Sequence, residues 1–258
     1  MSSYTKVVWT MENSTSSSRN EDCDDPELQW DRVMTEKDWL NCWETNNIGF
    51  HKKEEHQFLK KYLDIFVNGR KELRIFFPLC GKAVEMKWLA DMGHHVVGVE
   101  ISESALKDFF TEQNLSFSEE IVPEIPGAKL LKCTSLNICL YCCNLYDLTS
   151  SVTGHFDGIW DRGSLVAVNP SERERYAQLI LSLMNRMCRC LLVTLLYDAR
   201  KHKGPPFYVA DSDMKSLFGK DCDIQCLEKV YSLEEQHKKW GLDYLWEVLY
   251  LITLKERR

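Results

Sequence analysis

The sequence predicts an α/β fold, a doubly wound and mainly parallel sheet with helices on both faces. Three observations carry that prediction. Strand-like runs alternate with helical ones from residue 73 to residue 254. Residues 191–197 are continuously apolar, as a strand covered on both faces must be. Residues 73–100, LRIFFPLCGKAVEMKWLADMGHHVVGVE, read as strand, tight loop, helix, strand and acidic residue in succession.

The elements follow in order. Residues 1–27 are expected to form a disordered tail. They hold Ser2, Ser3, Ser14, Ser16, Ser17 and Ser18 and the acidic cluster Glu21, Asp22, Asp24 and Asp25, and little there can be buried. Trp9 is the one residue out of character. A chain of 258 residues suits one large α/β domain, placed at 28–258. Residues 35–66 have helical spacing: Trp39 and Trp43 are four apart, and Phe58, Leu59, Tyr62, Leu63 and Phe66 mark one buried face. Asn46, Asn47 and Gly49 divide that stretch into two helices.

Residues 73–77 then form a strand, Pro78 to Gly81 a loop, and 83–92 a helix that Gly93 ends. The next strand is 95–99, closed by Glu100, and Ser102 caps a helix over 103–114. After Pro123, Pro126 and Gly127 come strands at 129–133, 138–143 and 156–161. An amphipathic helix follows at 171–187, then the buried strand 191–197. A loop with Gly204, Pro205 and Pro206 leads to a short helix near 214–218. Strands near 224–230 and 246–254 finish the chain.

Composition excludes several classes. A net charge of −7 argues against a nucleic acid or an anionic membrane as the main partner. The longest uncharged run near the middle, 133–146, has 14 residues, too few to span a bilayer. The opening MSSYTKVVWTMENSTSSS lacks the apolar core of an export signal. Eleven cysteines then predict free thiols in a reducing compartment, the cytoplasm. Cys139-Leu-Tyr-Cys142 lies in a strand-like run, not at a helix start, and Cys188/Cys190 and Cys222/Cys226 lack zinc spacing. The cysteines are read as small buried hydrophobes, and no metal is expected. His94-His95 reads as structural, and Lys52-Lys53, Lys60-Lys61 and Lys238-Lys239 as solvated faces.

The loop at 78–81 carries the chemistry. In open α/β sheets ligands bind beyond the carboxyl ends of the strands. Glu100 follows Gly81 by 19 residues and ends the second strand, where a carboxylate can accept both hydroxyls of a ribose. A dinucleotide site needs Gly-x-Gly-x-x-Gly beside a pyrophosphate, yet only Gly81 is present and Pro78 removes a donor. No Walker loop is present; a cofactor with a ribose and no phosphate fits best, and S-adenosylmethionine is the common one. The plainer reading is that Glu100 caps the following helix and Gly81 permits a turn.

The segments FFPLCGKAVEMKWLA, GVEIS, FFTEQNLS, LYCC, WDRG, GPPFYV and HKKWG, spread from Asp38 to Leu254, resemble the thiopurine S-methyltransferase family. The resemblance implies a class I methyltransferase fold, with a seven-stranded, Rossmann-like sheet whose last strand is antiparallel. It implies methyl transfer from S-adenosylmethionine to aromatic and heterocyclic thiols. Trp39 and Trp43 match tryptophans of an N-terminal helix that closes over the cofactor; Leu79 and Glu100 match cofactor contacts. Asn144 and Leu145 match the stretch beside the adenine, where a family member carries Ser-Ile. Arg162 matches a residue at the junction of cofactor and substrate, and Phe50 and Pro206 match the lining of the substrate pocket. The family's Glu-Arg-His-Lys is here Glu235-Gln236-His237-Lys238, a departure bearing on substrate preference.

Methyl transfer asks for alignment of sulfur with the methyl carbon, worth about 7–11 kcal/mol, and for thiolate rather than thiol. Arg162 is the expected stabiliser of the sulfur anion, since a guanidinium stays charged. Asp161 is the expected proton relay through water; the rival reading makes Asp161–Arg162 an ion pair. The Phe207-Tyr208 segment reads as a lid or a rigid loop. The expected partner is a small-molecule thiol, with the chain a monomer. The alternatives are a same-fold methyltransferase acting on an alkyl thiol, selenium species or halide, and a cofactor-binding protein without catalysis. A nicotinamide dehydrogenase ranks last, for want of a phosphate loop.

Overall fold

Apolar alternation in the strands builds the molecule from the centre outwards. In β1 (Arg74–Phe77), Phe76 joins one buried cluster while Ile75 and Phe77 join the other, so both faces of the sheet are covered. The structure, a computed structural model, describes residues 33–256. The expected tail over 1–27, Trp9 included, and the domain start at 28 lie outside the described residues.

Five strands run parallel: β1, β2 (His95–Glu100), β5 (Ile138–Cys142), β6 (Phe156–Arg162) and β7 (Met184–Leu196). β9 (Trp246–Leu254) is antiparallel to both β7 and β8 (Cys222–Tyr231). On the opposite edge β3 (Ser118–Ile121) and β4 (Lys129–Cys133) add an antiparallel hairpin. The order is β3-β4-β5-β2-β1-β6-β7-β9-β8. The expected seven strands with an antiparallel last one are therefore present, and the edge hairpin raises the count to nine. β3 escaped the sequence reading because its SEEI is exposed throughout and shows no apolar alternation.

The chain leaves β1 toward β2 and later returns to β6 on the other side of β1. That reversal opens a crevice beyond the carboxyl ends of β1 and β6. Before it stand α1 (Glu36–Glu44), α2 (Gln57–Lys61) and α3 (Leu63–Val67); the sheet is then flanked by α4 (Glu85–Asp91), α5 (Glu103–Glu112), the short α6 (Ser150–Thr153), α7 (Arg173–Leu183) and α8 (Asp211–Phe218). α9 (Glu235–Lys239) lies between β8 and β9 and is absent from the sequence reading, being polar all round.

Two helix boundaries are corrected. The expected second N-terminal helix is split at Tyr62, whose hydroxyl donates to the Leu227 carbonyl at 3.2 Å; Phe58, Leu59 and Phe66 remain its buried face. The helix expected over 171–187 stops at Leu183. Met184 pairs with Phe156 across a bulge, and the parallel ladder takes over four residues early.

All ten described cysteines are free. Five of them are buried as expected, but Cys226 is exposed. His94 is structural: its Nδ1 accepts the Leu73 N–H at 3.2 Å. Among the described residues, no helix is long and apolar enough to cross a membrane, and no cluster of side chains could hold a metal ion.

Candidate active site

The loop after β1 is fastened before any ligand is considered. The Cys80 amide donates to the Val99 carbonyl at 2.8 Å, and the Ser164 hydroxyl donates to the Pro78 carbonyl at 2.6 Å. Leu79 and Gly81 both have positive φ, +44° and +48°. For leucine that conformation stores strain, of a kind that persists where the surroundings over-determine it.

Glu100, at the end of β2, is buried. Its Oε2 accepts the Gly81 N–H at 3.0 Å and its Oε1 accepts the Ser102 N–H at 2.9 Å. Burial raises its pKa, against the pull of the backbone hydrogen bonds from Ser102, Gly81 and Ile101. The plainer reading of Glu100 thus holds in part, because the carboxylate does steady the helix entrance that Ser102 caps. Each oxygen still has a lone pair beyond the backbone donor. A pair of adjacent hydroxyls fits those acceptors.

Over this loop lies α1. A Cβ on Gly81 would stand 2.8 Å from Trp43 Cζ2, so the indole rests directly on the glycine. Trp39 and Trp43 both meet Phe50 edge-on, with centroids 5.9 and 5.4 Å apart. Arg162 ends β6 beneath them and donates from Nη1 to the Phe50 carbonyl at 2.7 Å. One bond leaves most of the guanidinium's five N–H donors. His51, which the sequence reading passed over, comes next in the chain; burial and the charges of Lys82 and Arg162 keep its pKa below the ordinary value.

Asn144 has two partners within the protein. Its Oδ1 accepts the Tyr146 N–H at 2.7 Å and its Nδ2 donates to Glu36 of α1, which fixes the carboxamide between the turn and α1. Leu145 beside it is buried. Pro206 lies on the loop after β7, where its carbonyl accepts the Tyr197 hydroxyl at 2.6 Å. Phe207 is fully buried and donates its N–H to the Val166 carbonyl at 2.6 Å, which packs this segment against the turn after β6. Gln236 donates to Glu234 Oε2 at 2.7 Å, and Glu234 in turn faces Lys52 at 3.5 Å.

Asp161 does not match its expected role. It is 0% exposed, and its Oδ1 accepts the Ser164 and Leu165 N–H groups at 3.3 and 3.1 Å. The Tyr176 hydroxyl donates to its Oδ2 at 2.6 Å. Desolvation pushes its pKa up to about 6 despite these bonds. A relay through water has no exposed oxygen to use, and among the described residues no ion pair joins it to Arg162. The carboxylate holds the turn after β6 and thereby aims Arg162. Neither Tyr176 nor the Met34–Asn169 contact taken up below was legible in the sequence, since each pairs positions far apart in the chain.

Residues 34–255 match the family model described as thiopurine S-methyltransferase (TPMT). The chain is 59% identical over 236 residues to the thiopurine S-methyltransferase of Bos taurus, covering 92% of this chain and 96% of that protein. It is 58% identical over 231 residues to that of Rattus norvegicus, covering 90% and 96%. Among solved structures, it is similar to the 1,6-didemethyltoxoflavin-N1-methyltransferase of Burkholderia thailandensis with bound S-adenosylhomocysteine. That match has a TM-score of 0.57 and 12% identity, over 85% of this chain and 87% of the other. An S-adenosylmethionine-dependent methyltransferase from Anabaena variabilis matches with a TM-score of 0.55 and 14% identity, over 84% and 93%. The sheet is thus that of the S-adenosylmethionine-dependent methyltransferases.

Proposed function

The chain belongs to the thiopurine S-methyltransferase family, and from that premise we propose that it transfers the methyl group of S-adenosylmethionine to the sulfur of aromatic and heterocyclic thiols, thiopurines included. The observation that carries the reading is the Glu100 carboxylate, held between Gly81 and Ser102 at the end of β2, with Trp43 lying on Gly81. A cofactor with an unphosphorylated ribose fits that acceptor pair.

S-adenosylmethionine, when bound, supplies a methyl carbon already activated by its sulfonium. The protein's residues do the rest. Glu100 accepts the two ribose hydroxyls, and the Leu79–Gly81 backbone lies against the cofactor. The backbone of Asn144 and the side chain of Leu145 border the adenine. Trp39 and Trp43 cover the site and exclude water, which strengthens every charge interaction beneath them.

Arg162 faces the sulfur and favours thiolate over thiol, the form that attacks. Phe50 and Pro206 line the thiol's side of the crevice. Asp161 acts through Arg162 as a positioning residue. Aromatic and heterocyclic thiols ionise more readily than alkyl thiols, so stabilising the anion is enough and a dedicated strong base is unnecessary. The substrate is a small molecule. The free cysteines support a reducing compartment, and we place the enzyme in the cytoplasm as a monomer, with neither nucleic acid nor membrane as partner.

The test is incubation with labelled S-adenosylmethionine and 6-mercaptopurine, followed by counting of label in the organic extract. Transfer is expected. Binding of S-adenosylhomocysteine without transfer to any member of a panel of aromatic thiols, alkyl thiols, selenium species and halides would leave a binding protein in its place.

A further inference from the structure

α1 is a weak element held in a consequential place. It has nine residues, none of them fully buried. Helices of that length are marginal by themselves, and most helical stability comes from packing. Its N-terminal capping box, in which the Thr35 side chain accepts from the Asp38 amide and Asp38 Oδ2 accepts from the Thr35 amide, orders the first turn, and Glu36 of that turn accepts from Asn144.

A buried tie just ahead of that turn comes from Asn169. Its Oδ1 accepts the Met34 N–H at 2.9 Å and its Nδ2 donates to the Met34 carbonyl at 2.9 Å, across 135 residues of sequence. The carboxamide reads one residue's backbone in both directions, as a neighbouring strand would. Asn169 is 7% exposed and Met34 9% exposed, so the pair is shielded from water. Asn169 is itself steadied by Glu172 Oε2 at 3.2 Å, in the turn that opens α7. At the far end of the same segment Arg162 holds the Phe50 carbonyl. The stretch from Met34 to Phe50 is thus clamped at both ends, with Trp39 and Trp43 between the clamps.

We propose that Asn169 is a positioning residue of the methyl-transfer site: by clasping the backbone of Met34 it seats α1 over the loop at Gly81 and sets cofactor affinity without touching the cofactor. This rests on the reading of the site given above. A ligand that needs a seated α1 binds with an affinity scaled by the fraction of molecules in which α1 is seated. Loss of the clasp leaves the buried Met34 N–H and C=O unpaired, a cost large enough to turn a mostly seated α1 into one seated in about a tenth of the molecules.

The test uses the full chain with Asn169→Ala and Asn169→Asp. The aspartate keeps the size and the acceptor but turns a repelling oxygen toward the Met34 carbonyl, so it reports on the clasp if the alanine variant folds poorly. Calorimetry with S-adenosylhomocysteine is expected to show an approximately tenfold higher Kd in both. Amide exchange is expected to speed up in residues 36–44 and to stay unchanged in β1, β2 and β6. kcat at saturating cofactor and the ligand-free melting temperature are expected to stay close to wild type. Unchanged Kd in both variants would overturn the proposal. So would a parallel loss of affinity, kcat and melting temperature, which marks a residue needed only for folding. Wild-type protein that fails to bind S-adenosylhomocysteine would instead overturn the proposed function.

Discussion

Trp43 sits on Gly81 so closely that a single added methyl group would stand 2.8 Å from the indole. The pair joins α1, a helix with no fully buried residue, to the loop fastened by the Cys80–Val99 and Ser164–Pro78 bonds. Four predictions follow from this geometry and its surroundings.

Gly81→Ala meets two penalties at once, the left-handed φ of +48° and the indole. The backbone strain alone costs about 1–2 kcal/mol. Relief comes most cheaply by lifting Trp43, so S-adenosylhomocysteine affinity is expected to fall tenfold or more while the sheet stays folded. Calorimetry and far-ultraviolet circular dichroism check both halves.

Glu100→Ala is expected to weaken cofactor binding strongly, since it removes the acceptor of both ribose hydroxyls and leaves the Gly81 and Ser102 amides unpaired. The pH dependence carries a sign. Burial raises the Glu100 pKa, and protonation removes acceptor capacity. In wild type, the affinity is therefore expected to decline on acidification from a pH above 4.5, the ordinary glutamate value. Titration of Kd between pH 8 and pH 4 reads it; an affinity flat down to 4.5 would remove Glu100 from the ribose.

Arg162→Ala is expected to lower kcat/KM for acidic thiols by about a hundredfold, the usual scale for losing one preorganised donor to a developing or resident anion. Arg162→Lys should recover only part, because a point charge cannot grip the Phe50 carbonyl and face the sulfur together. Steady-state rates with 6-mercaptopurine decide it, and an unchanged rate would leave Arg162 a purely structural job.

Asp161 links the site to pH-dependent stability. Its folded pKa, about 6, lies above the ordinary 3.8. The folded state therefore binds this proton more tightly than the unfolded state does. Stability from this group is fully present below pH 3.8 and is lost as pH rises through about 6. The difference in unfolding free energy between wild type and Asp161→Asn should decline across that window, by at most about 3 kcal/mol. Denaturant melts at pH 4, 5, 6 and 7 give the curve.

Much of this was legible from residues alone. The 28-residue unit ending in Glu100 announces itself because strand, loop and helix each have a local signature, and the missing glycines exclude a pyrophosphate. Ser102 was correctly read as a cap, since capping is settled within four residues. The strands at β1, β2, β5 and β9 were placed to within about a residue by apolar runs. Where neighbours in space overruled neighbours in sequence, the reading failed. The helix after Arg173 ended early because Met184 found a ladder partner in Phe156, and β3 formed on an edge that needs no apolar face.

By itself, then, the sequence determined the fold class and the cofactor's chemical type, because periodicity and loop chemistry are local. Only the tertiary structure decided what the individual side chains do. It turned Asp161 from a relay into a buried strut, since Tyr176 and two amides occupy its oxygens. It set the Asn144 side chain between Tyr146 and Glu36, and it brought Asn169 to Met34 from 135 residues away. Hydrogen-bond capacity is finite and distance in the chain says nothing about distance in space, so which partner claims a polar group is settled only once the chain has folded.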